Sequence, residues 1–310
     1  MIMHRGDQTL AIRALRSAAP YIRLYKGKTF VVKAGGGVFA DSAATRMLLE
    51  QIGILHYFGV RVVLVHGGGP QLTEVSAALG NPSRMVEGRR ITDQKFIDVT
   101  AMVLNGLINT QVLGICRDLD VDAVGVSGVD AGLVRAHKRP PVRSAAGEMV
   151  DFGFVGDIDS VDTTVLRKLL DNALMPVVSP LSADESGTLL NINADTVAAA
   201  IGAALEAEKL ILCTGAPGIL GELADPGSLI SYTDLKGLKR LREEGRIADG
   251  MLPKAKAIED AIRGGVRRVH VVSYRSPEGI LGEVFTNEGT GTLIVADINA
   301  LTPDEQQSGP

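Results

Sequence analysis

Lys33 stands where an apolar run meets a glycine run, in Phe30-Val31-Val32-Lys33-Ala34-Gly35-Gly36-Gly37. A strand that runs into glycines lets backbone N–H groups approach a ligand with no Cβ in the way. A helix after such a loop adds partial positive charge at its N-terminus, and Lys33 adds a full one. The chemistry this favours is the binding of an anion, a phosphate above all. The device recurs at 61–70, where Val62-Val63-Leu64-Val65 leads into His66-Gly67-Gly68-Gly69. The glycines alone leave two readings open: a pair of tight strand-to-helix turns, or one anion site built from both.

Other charged residues fall at comparable places. Lys254 follows Asp249-Gly250-Met251-Leu252-Pro253 at the start of a helical pattern. Asn191-Ile192-Asn193-Ala194-Asp195 opens an alanine-rich helix. One N-cap uses one polar residue, so three polar residues among apolar ones favour a site. Arg90, in Arg89-Arg90-Ile91-Thr92-Asp93, can grip a carboxylate in a bidentate fork. Taken singly, Lys33 could snorkel, Lys254 could lie on an exposed helix face and Arg90 could be solvated. Taken together they suggest phosphoryl transfer, whose transition state spreads negative charge and asks mainly for positioning and electrostatic stabilisation. In that reading Asp195 orients the two lysines and is not a base.

Several alternatives lack their motifs. Neither glycine run continues as a Walker A loop, and no Gly-x-Gly-x-x-Gly fingerprint with a ribose-binding acid is present. The five histidines are scattered, without metal-ligand spacing. Gly125-Val126-Ser127-Gly128 is not flanked as a nucleophile elbow.

The chain has 310 residues, 45% hydrophobic and 22% charged, enough for a large core and about two lobes. A net charge of −4 gives no basic excess for nucleic acid. Cys116 and Cys213 read as reduced, buried thiols of a cytoplasmic protein. No apolar run reads as a membrane span, and no export signal is evident.

These residues need a scaffold. The pattern predicts strands at 29–32, 62–65, 123–126, 175–179, 209–214, 269–272 and 292–295. Helices are expected at 42–58, 71–79, 94–118, 164–172, after Asp195 to Ala204, and at 235–244 and 251–263. This rhythm implies an α/β fold with a mostly parallel sheet covered by helices, and ligands at the strand ends. Residues 82–92 read as loop or hairpin, and 133–159 as hairpins on one edge of the sheet. A short helix over 8–24, interrupted by Pro20, precedes the first strand. Residues 1–7 and the tail 302–310 read as disordered or frayed.

The motifs above resemble the amino-acid-kinase superfamily and, within it, the N-acetyl-L-glutamate kinase family, over nearly the whole chain. The resemblance is carried by Lys33-x-Gly35-Gly36, His66-Gly67-Gly68-Gly69-Pro70-Gln71, Arg90-Ile91-Thr92-Asp93, Asn191-Ile192-Asn193-Ala194-Asp195 and Gly250-Met251-x-Pro253-Lys254. Ala207-Glu208-Lys209 and Phe285-Thr286-x-Glu288-Gly289-x-Gly291-Thr292 extend it. It implies a three-layer αβα sandwich, the amino-acid-kinase fold, with a substrate lobe at 28–190 and a nucleotide lobe at 191–300. It also implies phosphorylation of the γ-carboxylate of N-acetyl-L-glutamate by ATP in arginine biosynthesis, with Mg2+ held mainly by ATP. Lys33, Lys254 and Asp195 would be catalytic. Gly68, Gly69, Arg90 and Asn191 would bind the acetylated amino acid. The nucleotide would meet Gly35, Gly36, Gly215, Ala216, Pro217, Gly218, Ile219, Leu220, Arg246, Ile247 and Ala248.

The arm at 1–27 is similar to one that links dimers into a hexamer in arginine-inhibited members, and Tyr21, Lys209, His270 and Glu283 match positions that bind arginine there. A homo-oligomer, dimer or hexamer, follows from that likeness. Four departures stand out. Gly37 replaces an Asn, Gly215 removes a carboxylate from the nucleotide loop, Val129 stands where a lysine is common, and Val271-Val272-Ser273-Tyr274-Arg275 differs from the usual segment. They leave room for a related acylated amino acid as substrate, such as N-acetyl- or carrier-bound aminoadipate or N-succinylglutamate, or for a non-catalytic arginine sensor. The retained lysines and Asp195 favour catalysis.

Overall fold

The structure, a computed structural model, describes residues 5–87, 89–144, 147–222, 225–247 and 251–300. The chain begins with α1 (Arg5–Tyr25), β1 (Thr29–Ala34), α2 (Ser42–Tyr57), β2 (Arg61–His66), α3 (Gly69–Ala78), β3 (Arg84–Val86), β4 (Arg89–Ile91), α4 (Gln94–Ala101), α5 (Asn109–Asp118) and β5 (Ala123–Ser127). There follow β6 (Val134–Lys138), β7 (Val142–Arg143), β8 (Met149–Val150), β9 (Gly156–Val161), α6 (Thr164–Asp171), β10 (Met175–Ser179), β11 (Leu181–Ala183), β12 (Leu189–Asn191) and α7 (Ala194–Ala204). The last elements are β13 (Lys209–Thr214), β14 (Tyr232–Asp234), α8 (Leu235–Glu243), α9 (Met251–Arg263), β15 (Arg268–Ser273), α10 (Gly279–Phe285) and β16 (Thr292–Val295).

Eight strands form one sheet in the order β14-β16-β15-β13-β1-β2-β10-β5. The run from β15 to β5 is parallel throughout, and β16 joins β15 antiparallel. Alternate residues of the central strands enter different cores, as the pleat requires. Val31, Val63, Val65, Leu210 and Leu212 pack on one side with residues of α6, α7, α8 and α9. Phe30, Val32, Val62, Leu64 and Ile211 pack on the other with residues of α2, α4, α5 and α10. The expected three-layer αβα sandwich is the result, and these strands read as continuous apolar runs because both of their faces are covered.

Some elements differ from expectation. Residues 133–159 do not lie on an edge of the main sheet. β6 and β9 join a separate four-stranded sheet, β12-β11-β6-β9, while β7 and β8 form a small hairpin of their own. Pro180, between β10 and β11, has no N–H to extend the main ladder, and the chain changes sheet there. α1 is not interrupted at Pro20 but runs on to Tyr25, and it begins at Arg5, inside the segment expected to be disordered. Pro20 removes one helical hydrogen bond. Beyond it, Tyr21 packs edge-on against Phe285 and Tyr25 against Phe30. Residues 1–4 and the expected frayed tail lie outside the described residues. The strip Gln94–Asp118 is, by length and composition, apolar enough to cross a membrane, contrary to the reading of the sequence. Its inner face, including Phe96, Val103, Ile108 and Val112, is packed in the core. Short α10, which the sequence did not reveal, covers the second core through Ile280 and Val284.

Candidate active site

Lys33 lies near the end of β1, one residue past the fully buried pair Val31 and Val32. It shares the parity of Val31, so it faces the side of the sheet covered by α7 and α9. There it meets Asp195, in the first turn of α7, with Nζ 2.8 Å from Oδ1. Lys254, in the first turns of α9, donates to the same oxygen at 3.0 Å. All three side chains are about nine-tenths buried. Asn193 makes the N-cap by accepting from the backbone N–H groups of residues 195 and 196, which leaves the Asp195 side chain to the lysines. Burial alone would raise the Asp195 pKa, but the charges of Lys33 and Lys254 outweigh it and hold it below the ordinary range. Lys254 is pushed down by burial and by Lys33, against the pull of Asp195. One carboxylate therefore holds two ammonium groups, and the cluster keeps an excess positive charge beside the glycine loops.

Those loops interlock. A Cβ on Gly36 would lie 2.7 Å from the Pro70 ring and 2.8 Å from the Gly69 nitrogen, so only glycine lets the loops after β1 and β2 approach this closely. Gln71 fastens them with a bond from Nε2 to the Gly36 carbonyl at 2.8 Å. Gly68 abuts Leu104 and Ile108, where a Cβ would fall within 2.6 Å of either side chain. Both belong to a π-helical stretch, Met102–Ile108, that joins α4 to α5. His66 is buried, and burial lowers its pKa to about 4. Its Nε2 accepts from Asn109 Nδ2 at 3.3 Å, so it is a neutral core group under the loop.

Arg90 donates to Ser83 Oγ, to Thr73 Oγ1 at 3.0 Å and to the Gly69 carbonyl at 3.3 Å, and it lies over the Phe96 ring. Burial lowers its pKa. No carboxylate pairs with it among the described residues, so a partly desolvated cation sits beside the second glycine loop without an anion. Asn191 ends β12, its backbone N–H held by the Phe154 carbonyl at 2.8 Å and its Nδ2 3.5 Å from Thr92 Oγ1. Thr92 follows β4, so Arg90 and Asn191 approach the same region from different sheets.

After β13, the segment from Gly215 to Leu220 is stitched to the last strand. Ile219 N–H donates to Thr292 Oγ1 at 2.8 Å, and Leu220 bridges Leu229. Arg246 pairs with Glu244 at 3.1 Å, and a Cβ on Gly221 would lie 3.8 Å from its Nη1. Ile247 is buried in the core, which leaves its backbone for any contact. Ala248 lies outside the described residues. Tyr274 has no assigned role in the reading of the sequence. Its hydroxyl reaches toward both Gly37 and Gly215. The signal was register: Ser273 pairs with Thr214, so Tyr274 stands one residue past its strand as Gly215 does past its own.

Lys209, His270 and Glu283 also come together, on the opposite face of the sheet. Lys209 Nζ donates to His270 Nε2 at 2.9 Å, and His270 Nδ1 to Glu283 Oε1 at 2.6 Å. Glu283 Oε2 accepts from the N–H groups of Thr290 at 2.6 Å and Gly291 at 2.8 Å. Burial, helped by Lys209, lowers the His270 pKa to about 4. Burial also lowers that of Lys209 to about 7. Glu283 falls to about 2 despite burial, held by His270 and the two backbone donors. Tyr21 is nearby, bonded to Asn287. Val129 is exposed. Both thiols are buried and unpaired, with burial raising Cys116 to about 11 and Cys213 to about 12. Neither is a nucleophile near neutral pH.

Comparison with known proteins gives the context. Residues 28–273 match the model of the amino acid kinase family. Acetylglutamate kinase of Myxococcus xanthus is 47% identical over 295 residues, 94% of this chain and 96% of the relative. Acetylglutamate kinase of Symbiobacterium thermophilum is 41% identical over 281 residues, 91% of this chain and 96% of the relative. Among solved structures, N-acetylglutamate synthase of Neisseria gonorrhoeae, complexed with coenzyme A and L-arginine, superposes with a TM-score of 0.80 at 26% identity. That match covers 92% of this chain and 65% of the synthase chain. Carbamate kinase of Giardia lamblia, bound to AMP-PNP, shares the fold at 18% identity and a TM-score of 0.62, over 87% of this chain and 99% of its own.

Proposed function

The chain belongs to the amino acid kinase family, and we propose that it transfers the terminal phosphoryl group of ATP to the γ-carboxylate of N-acetyl-L-glutamate, a step of arginine biosynthesis. The observation that carries the chemistry is the single Asp195 oxygen shared by Lys33 and Lys254, at 2.8 and 3.0 Å, beside two interlocked glycine loops. The relatives named for this activity align over more than nine-tenths of the chain.

A carboxylate oxygen of the substrate attacks the γ-phosphorus, and the bond to the β–γ bridging oxygen breaks. An acyl phosphate and ADP result. The attacking carboxylate is already ionised near neutral pH, so no base is needed, and Asp195 serves as an orienting anion. Lys33 and Lys254 face the negative charge spread over the moving group. Arg90, with Asn191 and the Gly68–Gly69 amides, holds the acetylated amino acid. Gly35 and Gly36, the segment Gly215 to Leu220 and Arg246 serve the nucleotide. Among the described residues no group of three His, Cys, Asp or Glu side chains is placed to hold a metal. Mg2+ would be carried by the phosphates of ATP and would neutralise part of their charge.

A second reading concerns regulation. Lys209, His270 and Glu283 form one buried chain beside Tyr21 and α1. Ile12, Leu15 and Leu24 of α1 are exposed. These support arginine as an inhibitor acting at that junction and α1 as an arm between subunits. The experiment is acyl-phosphate formation trapped as hydroxamate, with MgATP and N-acetylglutamate, N-acetylaminoadipate or N-succinylglutamate, each with and without arginine. Preference for N-acetylglutamate is the expected result, and suppression by arginine supports the second reading. Turnover confined to another acid overturns the substrate, and no turnover on any overturns the kinase.

A further inference from the structure

Three of the departures from family pattern meet at one point. β13 and β15 run parallel with Thr214 opposite Ser273, so the loops beyond them begin at Gly215 and Tyr274. The Tyr274 N–H donates to the Thr214 carbonyl at 2.9 Å, which fixes its backbone against β13. From there the phenol reaches across the end of β13 toward the loop after β1. A Cβ on Gly37 would lie 3.0 Å from the Tyr274 hydroxyl, tighter than side chains ordinarily pack, and one on Gly215 would lie 3.5 Å from it. The same Cβ on Gly215 would lie 3.8 Å from both Nε and Nη2 of Arg275. Glycine at 37 therefore lets the Tyr274 hydroxyl come this close, while the distances at Gly215 are ordinary contacts that place both side chains beside that loop.

We propose that Tyr274 and Arg275 form a phosphate contact at the nucleotide end of the site, beside Gly37 and Gly215. The inference rests on the kinase reading above and names which phosphate-bearing ligand these residues take, a nucleoside di- or triphosphate. The Tyr274 hydroxyl has no hydrogen-bond partner among the described residues, and the Arg275 guanidinium has neither hydrogen bond nor ion pair among them. A hydroxyl donor and a guanidinium on consecutive residues just past the end of β15, beside the glycine loop after β1, suit phosphate oxygens in charge and hydrogen-bonding capacity.

The test is calorimetric binding of MgADP and of AMP to the full chain. Arg275→Ala is expected to weaken MgADP about tenfold and Tyr274→Phe about threefold, the sizes of a charge-assisted and a neutral hydrogen bond. AMP affinity should shift less than twofold, Arg275→Lys should recover part of the loss, and thermal melts should match the parent. Gly37→Asn should also weaken MgADP, because its Cβ would displace the Tyr274 hydroxyl. Unchanged MgADP affinity in both single variants, or an equal loss for AMP, overturns the proposal. If the parent chain still forms acyl phosphate in those cases, the kinase reading survives; a parent that binds no MgADP and forms none overturns both.

Discussion

The sheet carries a buried lysine–carboxylate cluster on each face, and the two are built for opposite purposes. Lys33, Asp195 and Lys254 gather at the C-terminal end of β1, under loops that glycine opens to backbone approach. Two cations share one anion, so the cluster is one negative charge short. Lys209, His270 and Glu283 lie on the other face, where Lys209 begins β13. There every polar atom given a bond hands on to the next: amine to imidazole, imidazole to carboxylate, backbone N–H to the remaining carboxylate oxygen. In the proposed reaction the first arrangement is completed by a phosphoryl group from outside. The second is already complete, and its bonds tie β13, β15 and α10 together. Burial and charged residue types are common to both; what separates them is whether donors and acceptors balance within the protein.

That contrast breaks most visibly at Glu283. Glu283→Ala strands the Thr290 and Gly291 N–H groups and leaves His270 and Lys209 without their anion. Loss of one partner from a buried charged network costs about 3–5 kcal/mol. Urea unfolding should report this loss, while kcat of the remaining folded enzyme falls less than threefold. A variant with parental stability would show that the second cluster is not closed.

Lys33→Ala or Lys254→Ala should do the reverse. Each leaves Asp195 paired with the other lysine and relieves a like-charge contact, so the melting temperature should hold. Steady-state kcat should fall by about a hundredfold or more, the loss expected when one preorganised donor to a developing charge is removed. If kcat holds instead, the open cluster is not where phosphoryl transfer occurs.

The sequence carried much of the open cluster and little of the reason for the closed one. Lys33 was legible because a lysine at the end of Val31-Val32 demands a counter-charge, and Asp195 because a cap needs only one of Asn191, Asn193 and Asp195. Their meeting at one oxygen was not legible, since residue parity places Lys33 but spacing along the chain says nothing of which helix covers it. Lys209, His270 and Glu283 were matched by resemblance alone. Their bonds depend on α10, whose seven residues give a weak periodic signal, and on the register that sets Ile211 opposite His270. The separate sheet through β6, β9, β11 and β12 was missed because short strands with prolines read as hairpins wherever they attach. Tyr274 was visible as a departure, but its connection to Gly37 and Gly215 is purely spatial.

The closed cluster should also leave its own mark on the pH dependence of stability. His270 has a folded pKa of about 4 against an ordinary 6.5, so between those values the unfolded chain binds the proton that the folded chain excludes. Stability then falls as pH drops through that window, by roughly 3 kcal/mol when crossed in full. Glu283, at about 2 against 4.5, continues the fall as pH drops from 4.5 to 2, because there the unfolded carboxyl is protonated first. Lys209, at about 7 against 10.5, acts on the alkaline side. The unfolded lysine keeps its proton there while the folded one has lost it, so stability rises as pH rises from 7 to 10.5. Only the middle group distinguishes the two faces, since the open cluster has a carboxylate and lysines but no histidine. His270→Gln should therefore flatten the curve between pH 6.5 and 4 and leave the alkaline limb in place. Denaturant unfolding across pH, on parent and variant, reads this directly. A parent curve already flat from pH 6.5 to 4 would mean that His270 carries its proton in the fold and that the cluster holds two cations, as the open one does.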